Sequence, residues 1–430
     1  MRPGGRLAAA IEILADIETR HRPVAGSLKD WGVSHRFAGS GDRAAIGNLV
    51  YDALRWRLSI AWVMGEGTPR ALVLGIVARH WGLGAEGLAR LIEADPYGPA
   101  SLTPTEAERL ATADLSTAPE HIRADIPEWL APKFERTFGP DWIAEGAALA
   151  LRPPLDIRVN RLKADRTKVM KALSRFGATE TPFSPDGLRI APTIGDGRHP
   201  NVQVEPAFQK GWFEIQDEGS QLAAVMLGAK PGEQVLDLCA GAGGKTLALA
   251  AAMMNKGQIL ATDTDRTRLA PIFDRLKRAG TRNAQVRDAG ASLADCEGRM
   301  DAVLVDAPCT GTGVWRRRPD AKGRLTERAL AERVAEQSAL LATAARYVKP
   351  GGRLVYVTCS FLPEENGDQV ETFVSATPSF RAKPPAEIAT GTGFPATFAE
   401  AIRTQSEGVI LSPGKTGTDG FFVAVLERVA

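Results

Sequence analysis

Four short apolar runs in the second half of the chain each stop at an aspartate, and the first leads into a glycine-rich turn. The runs are Gln234-Val235-Leu236 before Asp237, Gln258 to Thr262 before Asp263, Ala284 to Arg287 before Asp288, and Ala302 to Val305 before Asp306. From Gly211 onward such runs alternate with helical patterns, which predicts an α/β, Rossmann-like doubly wound sheet. In that architecture the loops at the carboxyl ends of the strands gather over one crevice, where ligands bind. A fifth run, Arg353 to Val357, ends at Thr358-Cys359-Ser360, and Asp306 itself opens Asp306-Ala307-Pro308-Cys309. Two thiols delivered to one sheet edge beside a nucleotide-binding turn point to covalent chemistry next to a cofactor.

The turn is Cys239-Ala240-Gly241-Ala242-Gly243-Gly244-Lys245, followed by a helical pattern from Thr246 to Ala250. Its glycines permit a tight bend and close backbone approach, and the free N–H groups of the following helix suit an anion or carboxylate. The spacing is neither G-x-G-x-x-G nor that of a P-loop. Asp263 lies about twenty residues past the turn, where a carboxylate can accept both hydroxyl protons of a ribose. Asp288 is placed to accept from an adenine amino group. A single aspartate at a strand end is ordinary turn chemistry; four in series along one edge favour ligand binding. A lone cysteine is usually a small buried residue, and Cys239 is expected to pack under the cofactor, while Cys296 lies outside every motif.

A chain of 430 residues exceeds one ordinary core, so two or three domains are expected. Residues 1–123 read as all-helical: Leu7, Ile11, Leu14 and Ile17 recur at helical spacing, as do Ile46, Leu49, Val50, Ala53, Leu54 and Ile60. Asp42 with Arg43 opens the second of these helices, and Thr103-Pro104-Thr105-Glu106 opens another. No acid–base constellation occurs there, so a helical bundle without chemistry of its own is expected. Residues 124–209 read as a small α+β module, with strands at Leu155–Asn160 and Leu188–Ile190 around a helix at Val169–Phe176. Residues 210–430 form the doubly wound domain.

The four cysteines make no disulfide framework, which predicts a reducing, cytoplasmic setting. No apolar run approaches the ~20 residues needed to span a bilayer, and no signal-peptide pattern opens the chain. The five histidines are scattered without zinc-like spacing, so no metal is expected. A net charge of +2 neither implies nor excludes nucleic acid, so the distribution of charge matters. Trp315-Arg316-Arg317-Arg318 follows the Cys309 loop, and arginines beside an aromatic suit phosphate contacts and base stacking. A solvated helical face is the ordinary alternative for such a run.

The turn, the Pro-Cys motif and the stretch Tyr356-Val357-Thr358-Cys359-Ser360-Phe361-Leu362-Pro363-Glu364-Glu365-Asn366 together resemble the RsmB/Sun family of RNA cytosine-5 methyltransferases. The resemblance extends over Gly211-Trp212-Phe213-Glu214-Ile215-Gln216-Asp217-Glu218-Gly219-Ser220 and the closing Asp419-Gly420-Phe421-Phe422. Upstream, Asp42-Arg43-Ala44 with Leu49 to Arg55 is similar to the NusB-like helical domain of bacterial rRNA members. Pro127 to Leu130 and Ile157 to Asn160 are similar to the family's small RNA-binding module. Ala242 stands where the family turn has proline, and alanine can adopt the same φ at a cost of about 1 kcal/mol in unfolded-state entropy.

The resemblance implies S-adenosylmethionine as cofactor and RNA as partner, with small-subunit rRNA suggested by the NusB-like region. It implies that Cys359 is the nucleophile, that Cys309 aids product release, and that Asp306 hydrogen-bonds ring nitrogen 3 of cytosine. Lys245 would position the cofactor carboxylate or the base edge. The target base must leave any stack to reach Cys359, and a monomer is expected. Methylation of tRNA, methylation of DNA cytosine, and a catalytically silent assembly factor are the competing readings.

Overall fold

Helical periodicity accounts for the first part of the chain. In the computed structural model, which describes residues 1–391 and 393–429, helices Pro3–Arg20, Ser40–Arg55 and Pro69–Gly75 bury Leu7, Ile13, Leu14, Ile46, Leu49, Leu72 and Leu74 in one core. Asp42 lies within the first turn of its helix, where its carboxylate accepts the Gly39 N–H at 3.1 Å and Arg6 Nε at 3.0 Å. Thr103 and Glu106 form a reciprocal cap: Glu106 N–H donates to Thr103 Oγ1 at 3.1 Å, and Thr103 N–H to Glu106 Oε2 at 2.8 Å.

The chain divides into two compact units. The first comprises residues 1–153, 192–200 and 315–324; the second comprises residues 154–191, 201–314 and 325–430. Helices Ala131–Phe138 and Trp142–Leu149, expected in the small module, thus pack with the helical unit.

The segment Trp315–Arg324 belongs to the first unit, and this revises the sequence reading. Trp315 is 2% exposed and stacks on Phe134 with ring centroids 6.1 Å apart, so it cannot also stack on a displaced base. Arg316 is buried, and its carbonyl accepts Arg55 Nε at 2.7 Å. The buried Lys322 Nζ donates to the carbonyls of Arg55 at 2.9 Å and Asp125 at 2.7 Å. Burial lowers the Lys322 pKa and raises that of Asp125. Replacing the indole leaves a large cavity, so Trp315→Ala should cost about 3–5 kcal/mol of stability. A urea titration followed by circular dichroism measures it. Unchanged stability with weakened RNA binding would restore the stacking role.

In the second unit a small antiparallel sheet uses β1 (Leu155–Val159), β2 (Thr179–Glu180), β3 (Gly187–Ile190) and β4 (Phe213–Ile215) in the order β2-β3-β1-β4. Strand β4 lies beyond the expected boundary at residue 209, because Phe213 pairs with Val159 and Ile215 with Ile157. The large sheet contains, among the described residues, nine strands: β5 (Gln234–Asp237), β6 (Gln258–Ala261), β7 (Ala284–Val286), β8 (Met300–Asp306), β9 (Val348–Thr358), β10 (Phe380–Ala382), β11 (Arg403–Gln405), β12 (Gly408–Leu411) and β13 (Phe421–Arg428). Its order is β11-β12-β13-β9-β8-β5-β6-β7, with β10 paired to β13. Strands β5 to β9 run parallel, and β13 joins β9 antiparallel.

The strand order reverses at β5, which has β6 on one side and β8 on the other. Ligand crevices form at such switch points, outside the carboxyl ends of the strands. The register aligns Asp237 with Leu304, and Asp306 with Val357, so the strand-end aspartates and Cys359 reach the same edge. Val235, Leu249, Ile259, Leu304, Val355 and Val423 form the apolar core that fixes this edge.

Candidate active site

The turn after β5 owes its shape to two glycines at positive φ, Gly241 at 50° and Gly243 at 80°. A Cβ on Gly243 would lie 2.5 Å from Ile272 Cγ1, so the helix Ile272–Ala279 packs directly on the turn. Gly241 N–H donates to Asp263 Oδ2 at 2.9 Å, and Asp265 N–H donates to Asp263 Oδ1 at 2.9 Å. These bonds aim a buried carboxylate beside the glycines while leaving each oxygen a further lone pair. Asp288, just past β7, is exposed. Arg275, which carried no expectation, donates from Nη1 to the Ala242 carbonyl at 2.8 Å and from Nη2 to Glu214 Oε2 at 3.0 Å. The guanidinium therefore braces the turn at the position where alanine replaces proline.

Beneath the turn, Thr246 Oγ1 donates to Asp237 Oδ2 at 2.6 Å, while Asp237 Oδ1 is buried with no partner. Burial pushes the Asp237 carboxyl up to about 7, against the lowering effect of the Thr246 hydroxyl. The folded carboxyl holds its proton to about pH 7, whereas the unfolded one releases it near 3.8, so its stabilisation is present at low pH and lost through neutrality. Asp237→Asn should therefore gain melting temperature relative to the wild type between about pH 4.5 and about pH 7.5. Scanning calorimetry at the two pH values checks this; a constant difference would mean that Asp237 is ionised throughout. Burial, followed by the Asp306, Asp237 and Asp263 carboxylates, raises the Cys239 thiol pKa, which keeps it protonated and unreactive.

At the ends of β8 and β9 the two expected thiols meet. Cys309 Sγ and Cys359 Sγ lie 3.3 Å apart, both as free cysteines and both partly exposed. The hydrogen bond to Cys359, and then burial, pushes the Cys309 thiol well above its usual range, so Cys309 keeps its proton beside Cys359. Lys245 Nζ, buried at the start of helix Gly244–Ala252, forms a 2.6 Å ion pair with the half-exposed Asp306 and sits 5.4 Å from the Phe421 ring centroid. The structure thus brings Lys245 to Asp306.

Glu365 was missed by sequence reasoning. It is fully buried and takes hydrogen bonds from Thr310, Ser360 and Gln337, the first two being the residues that follow Cys309 and Cys359. A carboxylate in an apolar stretch directly after a strand-end cysteine was the available signal. Cys296 is buried away from these motifs. Among the described residues, no group of three or more His, Cys, Asp or Glu side chains is arranged to hold a metal ion.

Comparison with known proteins agrees with this architecture. Residues 224–427 match the family described as 16S rRNA methyltransferase RsmB/F, and residues 126–194 match the ferredoxin-like domain of RsmF/B-like methyltransferases. The Ribosomal RNA small subunit methyltransferase B of Citrobacter koseri is 38% identical over 304 residues, which are 70% of this chain and 66% of that protein. The protein of the same name from Cronobacter sakazakii is 36% identical over the same shares. The chain thus spans just under two thirds of the length of these curated relatives. The crystal structure of PH0851 superposes over 100% of this chain and 99% of its own, with a TM-score of 0.74 and 26% identity. NSun6 from Pyrococcus horikoshii, solved with SFG, covers 71% of this chain and 99% of its own with a TM-score of 0.59; at 22% identity it bears on the fold alone. With a matching catalytic region, a matching ferredoxin-like region and relatives of one name, the chain belongs to the RsmB/F methyltransferase family.

Proposed function

We propose that the chain methylates carbon 5 of a cytosine in small-subunit ribosomal RNA, using S-adenosylmethionine and a transient bond between Cys359 and the base. The observation that carries this reading is the pair of thiols 3.3 Å apart at the same sheet edge as the Lys245–Asp306 ion pair and the glycine turn. The relatives named for small-subunit rRNA methylation support the substrate class.

The turn fits the cofactor. A Cβ on Gly241 would fill the space 3.8 Å from Asp263 Oδ2, so the bare backbone keeps a cradle open beside a buried carboxylate. Gly241, Gly243 and Gly244 would receive the cofactor by backbone approach, with Cys239, Ala240 and Ala242 shaping the floor. Asp263 would accept the ribose hydroxyls, Asp288 the adenine amino group, and Lys245 or Asp306 would face the amino-acid end. When bound, S-adenosylmethionine supplies an electrophilic methyl group.

Carbon 5 of cytosine is a weak nucleophile, and the protein's task is to make it a strong one. The Cys359 thiolate adds to carbon 6, the electron pair of the 5,6 double bond moves towards the ring, and nitrogen 3 takes a proton relayed from the Lys245 ammonium through the Asp306 carboxylate paired with it. The resulting enamine carbon 5 is nucleophilic enough to accept the methyl group the cofactor would supply, the sulfonium sulfur leaving as a neutral thioether. A base then removes the carbon 5 proton, the 5,6 double bond reforms, and Cys359 leaves as thiolate while nitrogen 3 returns its proton. Cys309, in contact with Cys359 Sγ, is placed to serve this last stage. Of the predicted phosphate contacts, Arg318 is exposed and Arg317 half-buried, and these two are retained as RNA ligands.

The test is methyl transfer from labelled cofactor to rRNA, tRNA and DNA, followed by mapping of 5-methylcytosine. Label at carbon 5 of a small-subunit rRNA cytosine is expected. Label only on tRNA or DNA, or cofactor binding without transfer to any of them, would overturn the proposal.

A further inference from the structure

Each reactive cysteine is followed at once by a hydroxyl residue, Thr310 after Cys309 and Ser360 after Cys359. Both hydroxyls donate to one oxygen of the same carboxylate, Glu365 Oε2. Its other oxygen accepts the Thr310 N–H at 2.8 Å and Gln337 Nε2 at 3.0 Å. Gln337 Nε2 also donates to the Pro308 carbonyl at 2.9 Å, so the residues on both sides of Cys309 are held. On the other loop, Asn366 Nδ2 donates to the Ser360 carbonyl at 2.9 Å, while Thr358 Oγ1 donates to Asn366 Oδ1. Tyr356 OH donates to the Glu365 carbonyl at 2.7 Å, which fixes the clamp to β9 itself.

We propose that Glu365 is the positioning residue of the site: one buried carboxylate that ties the Cys309 loop to the Cys359 loop and sets the contact between the two sulfurs. A bare carboxylate in this apolar setting is costly unless every lone pair is used. Glu365 meets that condition with four donors drawn from two loops and the helix Glu327–Ala345. The pKa of Cys309 is raised first by its bond to Cys359 and then by burial, and that of Tyr356 by burial, with the Glu365 carboxylate adding to both. Glu365 itself has a raised pKa because of burial, with the hydroxyl and amide donors opposing the rise. Glu365 does not reach the reacting base in this scheme; it acts through Thr310 and Ser360. The role rests on the cysteine chemistry proposed above, although the clamp itself can be measured without any RNA.

Two variants and two readouts test it. In Glu365→Ala the four donors lose their acceptor; Glu365→Gln keeps the size and one acceptor oxygen and guards against a variant that fails to fold. The first readout is closure of the Cys309–Cys359 disulfide by diamide, in which the two thiols are oxidised and their hydrogens pass to the azo nitrogens. Peptide mass mapping follows the rate. The second is methyl transfer to rRNA, with kcat and KM resolved. Misplacing reacting groups by about 1 Å costs on the order of a hundredfold in rate. Glu365→Ala should therefore lose about that factor in both disulfide closure and kcat, with Glu365→Gln falling between it and the wild type and KM unchanged.

Closure and kcat within twofold of wild type in a folded Glu365 variant would overturn the proposal, as would a loss confined to KM. Slowed closure in the variants, together with no methyl transfer by the wild type to any nucleic acid, would sink the functional reading and leave the clamp standing.

Discussion

Cys359→Ala is expected to lower methyl transfer by about four orders of magnitude or more, with cofactor affinity unchanged. The expectation follows from the substrate. Without addition at carbon 6 the ring offers no carbanion-like carbon 5, and the turn and Asp306 can only hold the reactants side by side. Four orders correspond to about 5.4 kcal/mol of barrier, more than a lost packing contact at a partly exposed thiol would take from the rate. RNA carrying 5-fluorocytosine should form a stable adduct with the wild type and none with the variant, because fluorine cannot leave as a cation and the adduct cannot resolve. Denaturing gel electrophoresis reads it directly. Turnover within tenfold of wild type in Cys359→Ala would remove the nucleophile from this position.

The second large effect runs in the opposite direction. Cys309→Ala should accumulate a covalent protein–RNA complex on ordinary RNA, while turnover falls by about two to four orders of magnitude, the range for a lost acid–base group. Cys309 Sγ lies 3.3 Å from the sulfur of the proposed nucleophile, and its raised pKa keeps a proton available to that sulfur. Such a donor assists departure of Cys359 as thiolate at the elimination stage. With alanine there, addition and methyl transfer proceed and release stalls. Wild-type turnover in this variant would deny Cys309 the release role; loss of activity without any trapped complex would move its contribution to the addition step.

Much of the catalytic fold was legible in the chain. Strands β5, β6 and β8 and the turn between β5 and its helix follow from apolar runs closed by Asp237, Asp263 and Asp306 and punctuated by Gly241, Gly243 and Gly244. The convergence of Cys309 and Cys359 also followed, since parallel strands deliver their ends to one edge. Short strands such as β2 carried no periodic signal, because two exposed residues, Thr179 and Glu180, look like any loop. The affiliation of β4 was hidden for a different reason. Phe213 to Ile215 directly precedes the helix Glu218–Met226 in sequence, yet its hydrogen bonds go to β1, more than fifty residues earlier.

Two site assignments depended on burial that composition cannot reveal. Trp315 and Arg316 read as an RNA-facing patch because aromatic and basic residues stood together; their burial comes from Phe134 and Arg55, far away in the chain. Glu365 closes the apolar stretch after Cys359, and only packing gives it four donors from separate segments. Arg275 likewise carries its role only through its bond to the Ala242 carbonyl, more than thirty residues away in the chain.

Because residues 315–324 complete the helical unit, that unit remains unfinished on the ribosome long after its first 153 residues have emerged. Domains made first generally fold first, but here the pocket for Trp315 and the carbonyls awaiting Lys322 stay unfilled until strands β5 to β8 have been translated. A fragment ending before residue 315 would therefore carry an open apolar socket at Phe134.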